Sequence, residues 1–165
     1  MREYFAKSTA PFHIYSRGTE KRKIFTQYAE YCRFVFLMWV CRIGRPKVNL
    51  LRMNTTVAAE AILSGIEPDE ALYIKEFDPL VSFITWNLMP NHYHFVLVSL
   101  VEGGISKYMQ KLGTAYTKYF NARHQRSGRL FQNSFQSIAI DDPRYLAVLL
   151  RYINFNHAEL VEPKW

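Results

Sequence analysis

Cysteine is nearly absent from this chain, at two in 165 residues, and glycine and proline stop at seven each. Cys32 and Cys41 lie nine apart in a helical pattern, which returns them to one side of the helix but separates them by ~13 Å along its axis. That is too far for a disulfide, so no disulfide framework is expected. Long apolar runs are also missing. The most apolar stretch, Phe34 to Cys41, is closed by Arg33 and Arg42, far short of the roughly 20 residues that span a bilayer. The start MREYFAKSTAPF lacks an apolar signal core, so a soluble cytoplasmic protein with no membrane partner is expected. There is no internal repeat. What is present is 49% hydrophobic and 16% aromatic side chains against 21% charged, which excludes wholesale disorder and fits a single domain spanning 1–165.

Acidic residues are absent from one long segment. Residues 103–140 carry 6 basic and no acidic side chains, and residues 1–52 carry 11 and 3, whereas residues 53–102 carry 1 and 7. The formal net charge of +7 therefore belongs to two stretches that flank an acidic one. A phosphate backbone is the simplest partner for such an asymmetry.

Hydrophobic periodicity orders the chain. PFHIYSR (11–17) alternates as a strand and exits through Gly18 and TEKRK. Thr26 to Ile43 runs without Gly or Pro and repeats apolar residues at helical spacing until Gly44-Arg45-Pro46 stops it. The stretch at about 47–80 reads as an insertion with short helical patterns at Thr56–Ser64 and Asp69–Phe77. Val81–Leu88 and His92–Leu100 flank Met89-Pro90-Asn91 as an antiparallel hairpin. From Gly103-Gly104 a helix follows, with Ile105, Tyr108, Met109, Leu112, Tyr116, Tyr119 and Phe120 on one stripe. A strand is expected near Phe131–Ile140, and a last helix from Asp141-Asp142-Pro143 to about His157. This β-α-(insertion)-β-β-α-β-α order predicts an α+β fold: a ferredoxin-like, RRM-like antiparallel sheet with helices on one face, plus a C-terminal helix.

Two patterns carry chemistry. In His92-Tyr93-His94 the strand period of two puts both imidazoles on one face, ~7 Å apart at Cα, with Tyr93, Phe95 and Leu97 on the other. Two imidazoles so placed can share a divalent ion, although half-exposed strand histidines without a role give the same pattern. In the last helix Tyr152 and Asn156 are i and i+4 neighbours. A phenol there can serve as a nucleophile and an amide oxygen as a hard ligand, or Tyr152 can pack and Asn156 cap. His13 is a candidate neighbour of this chemistry or an ordinary strand histidine. Tyr116 and Tyr119, rival nucleophiles, sit on the apolar stripe and read as core.

Taken together, FHIYSRG (12–18), LMPNHYHFVLV (88–98), SGRLFQNSF (127–135) and DDPRYLAVLLRYINFN (141–156) resemble the single-tyrosine HUH transposases, in the branch of REP-associated tyrosine transposases. The resemblance spans roughly residues 11–160, and MPNHYH is its most specific element. It implies that His92, His94 and Asn156 hold Mg²⁺ or Mn²⁺, and that Tyr152 attacks single-stranded DNA to form a 5′-phosphotyrosine that a 3′-hydroxyl can later reverse. The partner DNA would carry a hairpin or palindrome, in a prokaryotic cytosol or nucleoid, and a homodimer completing the site in trans is one arrangement in the family. Relatives read Asn-Pro where this chain has Asn156-His157, and carry an aliphatic residue where it has Tyr93.

Single-stranded DNA needs an electrostatic track. Lys107, Lys111 and Lys118 on one helix face, with Arg123, Arg126 and Arg129 in the following loop, are candidates. Arg17, Lys21, Arg22 and Lys23 could grip a hairpin stem. Two other readings stay open: a non-catalytic nucleic-acid-binding module on an RRM-like sheet, and a metal-dependent hydrolase that uses activated water without Tyr152.

Overall fold

The structure is a computed structural model and describes residues 10–155; the expected ligand Asn156 and its neighbour His157 lie outside them. Strand β1 (Pro11–Arg17), helix α1 (Tyr28–Ile43), β2 (Gly44–Pro46), α2 (Thr56–Leu63), β3 (Tyr73–Lys75), β4 (Val81–Met89), β5 (His92–Ser99), α3 (Gly104–Arg123), β6 (Gln136–Ala139) and α4 (Pro143–Phe155) follow in order. The main sheet runs β4-β5-β1-β6 with every pairing antiparallel. This is the arrangement expected of a βαββαβ unit. Among the described residues no helix is long and apolar enough to cross a membrane.

Alternation in the central strands decides the layers. Phe12 and Ile14 of β1 and Tyr93, Phe95 and Leu97 of β5 join Phe34, Leu37 and Met38 of α1 and Tyr108, Leu112 and Tyr116 of α3 in one cluster. Phe34 packs edge-on to Tyr116 at 4.8 Å between centroids. The hydroxyls of the buried tyrosines do not go unpaired: Tyr116 donates to the Ile24 carbonyl at 2.6 Å and Tyr108 to the Met38 carbonyl at 3.2 Å. Tyr116 and Tyr119 are thus core residues. The Tyr93 position, unusual for the resembled family, faces this core and is buried.

Helix α1 is buried nearly all round. Its far side is covered by the 47–80 segment: Ala59 meets Cys32 and Val35, while Ala58, Leu50 and Leu72 meet Phe36 and Val40. The segment thus roofs α1 with apolar surface while its charges face out, and a helix apolar on every side is what such enclosure requires. Thr56–Ser64 forms a helix as expected, but Asp69–Phe77 does not. It makes a 3-10 turn at Glu70–Leu72 and then β3, paired with β2. The reason is tertiary: directly after α1, Gly44 lies so close to Ile74 that a Cβ would fall 1.8 Å from its carbonyl oxygen. The chain end of α1 thereby offers a strand for Tyr73–Lys75 to join. The late strand is shorter than expected, β6 covering only Gln136–Ala139. Cys32 and Cys41 are free and buried.

Helix α4 crosses the other face of the sheet. Val96, Ile140, Leu149 and Ile153 form a small buried cluster with Leu146 against it. One polar tie adds to this contact, as the Asn87 amide donates to the Ile153 carbonyl at 2.6 Å. With helices on both sides, β1 and β5 are buried on both faces, which is why His13 and His94 are only 6% and 8% exposed.

Candidate active site

The antiparallel register assembles the site. His94 stands opposite Asn87 on β4 and Tyr15 on β1, and Tyr15 stands opposite Gln136 on β6. Directly paired residues share a face, so Asn87, His94, Tyr15 and Gln136 make one row across all four strands. His92 pairs with Arg17 and Met89 in the next row. Tyr152 descends from α4 onto these rows, its ring edge-on to His94 at 5.7 Å between centroids. The His92 and His94 rings lie 5.1 Å apart, nearly perpendicular. These groups open on a cleft of about 290 Å³ lined also by Tyr15, Arg17, Asn133, Ser134 and Gln136.

Why Pro90-Asn91-His92 occupies the hairpin turn is visible in its bonds. The Pro90 carbonyl accepts from the Ile24 and Phe25 amides at 2.7 and 3.0 Å, and the Asn91 carbonyl from the Gly18 amide at 2.9 Å. The Asn91 side chain works in two directions: its amide donates to the Lys21 carbonyl at 3.3 Å, and its Oδ1 lies 2.6 Å from His92 Nδ1. An amide oxygen only accepts, so His92 Nδ1 carries the proton and Nε2 is left bare. His94 Nδ1 is likewise occupied, 2.9 Å from His13 Nε2. The ring nitrogens held by protein neighbours are therefore both Nδ1, and both Nε2 atoms are uncommitted among the described residues.

Electrostatics keep the imidazoles neutral. Burial, then the neighbouring His92, His13 and Arg17, push His94 down to about 3. Burial and then Arg17 lower His92, and burial lowers His13. Neutral imidazoles are what metal ligation needs. The donor set suits a divalent cation: two bare ring nitrogens beside the amide, hydroxyl and phenol oxygens of Gln136, Ser134 and Tyr152. Among the described residues no cluster of three or more His, Cys, Asp or Glu could hold one, so within them the donors beside the two imidazoles are neutral oxygens. Among the described residues that line the cleft none is acidic and Arg17 is the one cation, which suits an anionic substrate.

The other expected DNA contacts are scattered. Lys21, Arg22 and Lys23 lie in the loop that props the hairpin turn, where the Arg22 guanidinium reaches Thr19 O at 3.3 Å and Glu20 at 3.6 Å. Lys107, Lys111 and Lys118 ride on α3, across the sheet from His94. Lys107 and Lys111 sit over the Phe77 ring at 4.4 and 5.0 Å, and Lys111 also pairs with Glu76 at 3.4 Å. Part of the basic helix is thus matched by the acidic segment. Arg126 is tied to Asn121 and to the Arg129 carbonyl, while Arg123 is exposed. Lys118 and Arg129 border a groove of about 1220 Å³ between α3 and the 129–136 loop, and Ser16, Asn133, Ser134 and Gln136 line both this groove and the Tyr152 cleft.

Sequence reasoning passed over Asn87, Tyr15, Gln136 and the double duty of Asn91. The first was within reach: once the turn is Pro90-Asn91, counting outward pairs 89 with 92 and 87 with 94. Tyr15 and Gln136 had no local signal, because the pairings of β1 with β5 and β6 join residues about 80 and 120 positions apart.

A model of the transposase IS200-like family matches residues 37–156. It begins inside α1, so β1 with His13, Tyr15 and Arg17 lies outside the match. A comparison with curated proteins finds no match. Among solved structures, the REP-associated tyrosine transposase bound to a REP hairpin is similar with a TM-score of 0.58 at 13% identity, over 96% of this chain and 72% of that one. A crystal structure from Deinococcus radiodurans R1, assigned as a transposase, is similar with a TM-score of 0.47 at 12% identity, over 93% of this chain and 94% of that one. The fold comparison rests on the first.

Proposed function

The chain belongs to the IS200-like transposase family, and from that premise we propose that it nicks and rejoins single-stranded DNA through a covalent bond to Tyr152. The observation that carries this reading is convergence: a half-exposed phenol from α4 and two neutral imidazoles from β5, each with Nε2 bare, share one cleft.

In the proposed reaction Arg17 and the neutral polar lining receive the phosphodiester, and Tyr152 Oη attacks its phosphorus. The Oη–P bond forms as the P–O3′ bond breaks, and the leaving O3′ takes up a proton to become a 3′-hydroxyl. Attack requires loss of the Tyr152 phenolic proton, and solvent reaches this ring and can take it. His92, His94 and Asn156 would hold Mg²⁺ or Mn²⁺, which when bound supplies Lewis-acid polarisation of a phosphate oxygen. Attack by a 3′-hydroxyl on the phosphotyrosine reverses the bond changes and rejoins strands without ATP, because the intermediate conserves the phosphodiester.

The substrate strand would carry a hairpin, as the DNA of the similar solved structure does. The groove along α3 that runs into the cleft gives flanking nucleotides a path past Lys118 and Arg129. The test is incubation with labelled single-stranded hairpin DNA and Mn²⁺. We expect an SDS-resistant protein–DNA adduct that Tyr152→Phe abolishes. Cleavage without an adduct, undiminished in the variant, would favour hydrolysis by activated water; tight binding without cleavage would favour a non-catalytic module.

A further inference from the structure

His13 is buried to 6% exposure on the central strand, yet it is not spent on packing alone. Its Nε2 lies 2.9 Å from His94 Nδ1, its ring is stacked on His94 at 5.1 Å between centroids, and Tyr15 flanks both. Its other nitrogen, Nδ1, is buried without a hydrogen-bond partner among the described residues. A leucine here would spare that orphaned nitrogen but would leave the buried His94 Nδ1 without its partner, so the role of this histidine lies in its bond to His94.

A neutral imidazole carries one ring proton. If His13 donated through Nε2, His94 Nδ1 would accept and its own proton would sit on Nε2, blocking the nitrogen that faces the cleft. If His94 donates through Nδ1, its Nε2 is bare, and His13 holds its own proton on the orphaned Nδ1. The neighbouring ring takes the second form: Asn91 Oδ1 can only accept, so His92 carries its proton on Nδ1.

We propose that His13 is the positioning residue for His94, accepting the His94 Nδ1–H so that Nε2 stays free and aimed into the cleft, as Asn91 does for His92. Its use in cation binding rests on the function proposed above; the tautomer itself does not. The orphaned His13 Nδ1–H is then the local cost of holding a ligand ready. Partners of this kind, hydrogen-bonded behind a ligating histidine, commonly set metal affinity.

The test is long-range ¹H–¹⁵N correlation of the histidine rings in the metal-free full chain, with Mn²⁺ affinity measured alongside. Wild type should show His94 as Nδ1–H. His13→Leu should move His94 to Nε2–H and weaken Mn²⁺ binding about tenfold or more, while His13→Gln, which restores an acceptor, should recover most of both. His94 found as Nε2–H in wild type overturns the proposal, and that reading needs no variant to fold. An unchanged tautomer and Mn²⁺ affinity in a folded His13→Leu protein also overturns it. A wild type with the expected tautomer but no Mn²⁺ broadening of His92 and His94 supports His13 as the positioning residue and removes the metal reading instead.

Discussion

On the side of the sheet facing α1 and α3, β1 and β5 contribute Phe12, Ile14, Tyr93, Phe95 and Leu97 to a large aromatic core; on the side facing α4, the same strands contribute His13, Tyr15, Arg17, His92 and His94. Among the described residues the apolar cluster on the second face is small: Val96, Ile140, Leu149 and Ile153, with Leu146 against it. The contrast separates two tasks that a single strand performs at alternate residues. One face holds the backbone in register, and the other is thereby free to present polar groups too sparsely packed to fold by themselves. Partial burial by α4 then does the chemical tuning, since it keeps His94 neutral.

The sharpest way to break this contrast is to exchange the faces' expected costs. Tyr152→Phe should lower strand cleavage by about 10⁴-fold or more, as loss of a nucleophile does. Its thermal unfolding should stay within about 0.5 kcal/mol of wild type, because the ring is 44% exposed. Phe34→Ala should do the reverse on the other face, costing about 3–5 kcal/mol of global stability by urea titration. A Tyr152→Phe protein that unfolds, or a Phe34→Ala protein of undiminished stability, would erase the distinction.

The pH dependence of the metal-free protein sharpens it further. His94 is held near 3 in the folded chain and titrates at about 6.5 when unfolded. Above pH 6.5 it is neutral in both states and contributes no slope. As pH falls from 6.5 towards 3 the unfolded chain takes up the proton first, so stability drops by a few kcal/mol. His94→Phe should flatten that limb, checked by denaturant titrations at a series of pH values. Leu149→Ala, in the small cluster, should cost about 2 kcal/mol and speed amide exchange in α4 before the rest of the chain. The smallest effect belongs to the surface. Lys111→Ala breaks a half-exposed pair with Glu76 and should change stability by less than about 1 kcal/mol. In DNA binding, Lys118→Ala should reduce the salt slope by about one while Lys111→Ala leaves it nearly unchanged.

Much of the fold was legible where periodicity is local. The hairpin, the shared face of His92 and His94, α1, α3 and the antiparallel α+β architecture follow from spacing in the chain. Asp69–Phe77 misled because its helical pattern yields to pairing with β2, a contact set by the close approach at Gly44. For the site, His92, His94 and Tyr152 can be singled out from motifs, but what surrounds them is a matter of register. Tyr15, Gln136 and the bond from His13 to His94 come from strands distant in sequence, and no pattern along the chain encodes them. Lys107 and Lys111, candidates for a basic track, also show what the chain pattern leaves out: they are partly engaged by Phe77 and Glu76 of the acidic segment.

In the proposed function the face of the sheet beneath α4 brings a phenol and two neutral imidazoles to one phosphate. Mass spectrometry of the protein after reaction with hairpin DNA and Mn²⁺, followed by nuclease trimming and peptide mapping, tests it at the level of the bond. The expected product is a nucleotide joined through its 5′-phosphate to Tyr152 and to no other tyrosine. Strand cleavage with Tyr152 unmodified, or an adduct on another residue, would contradict it.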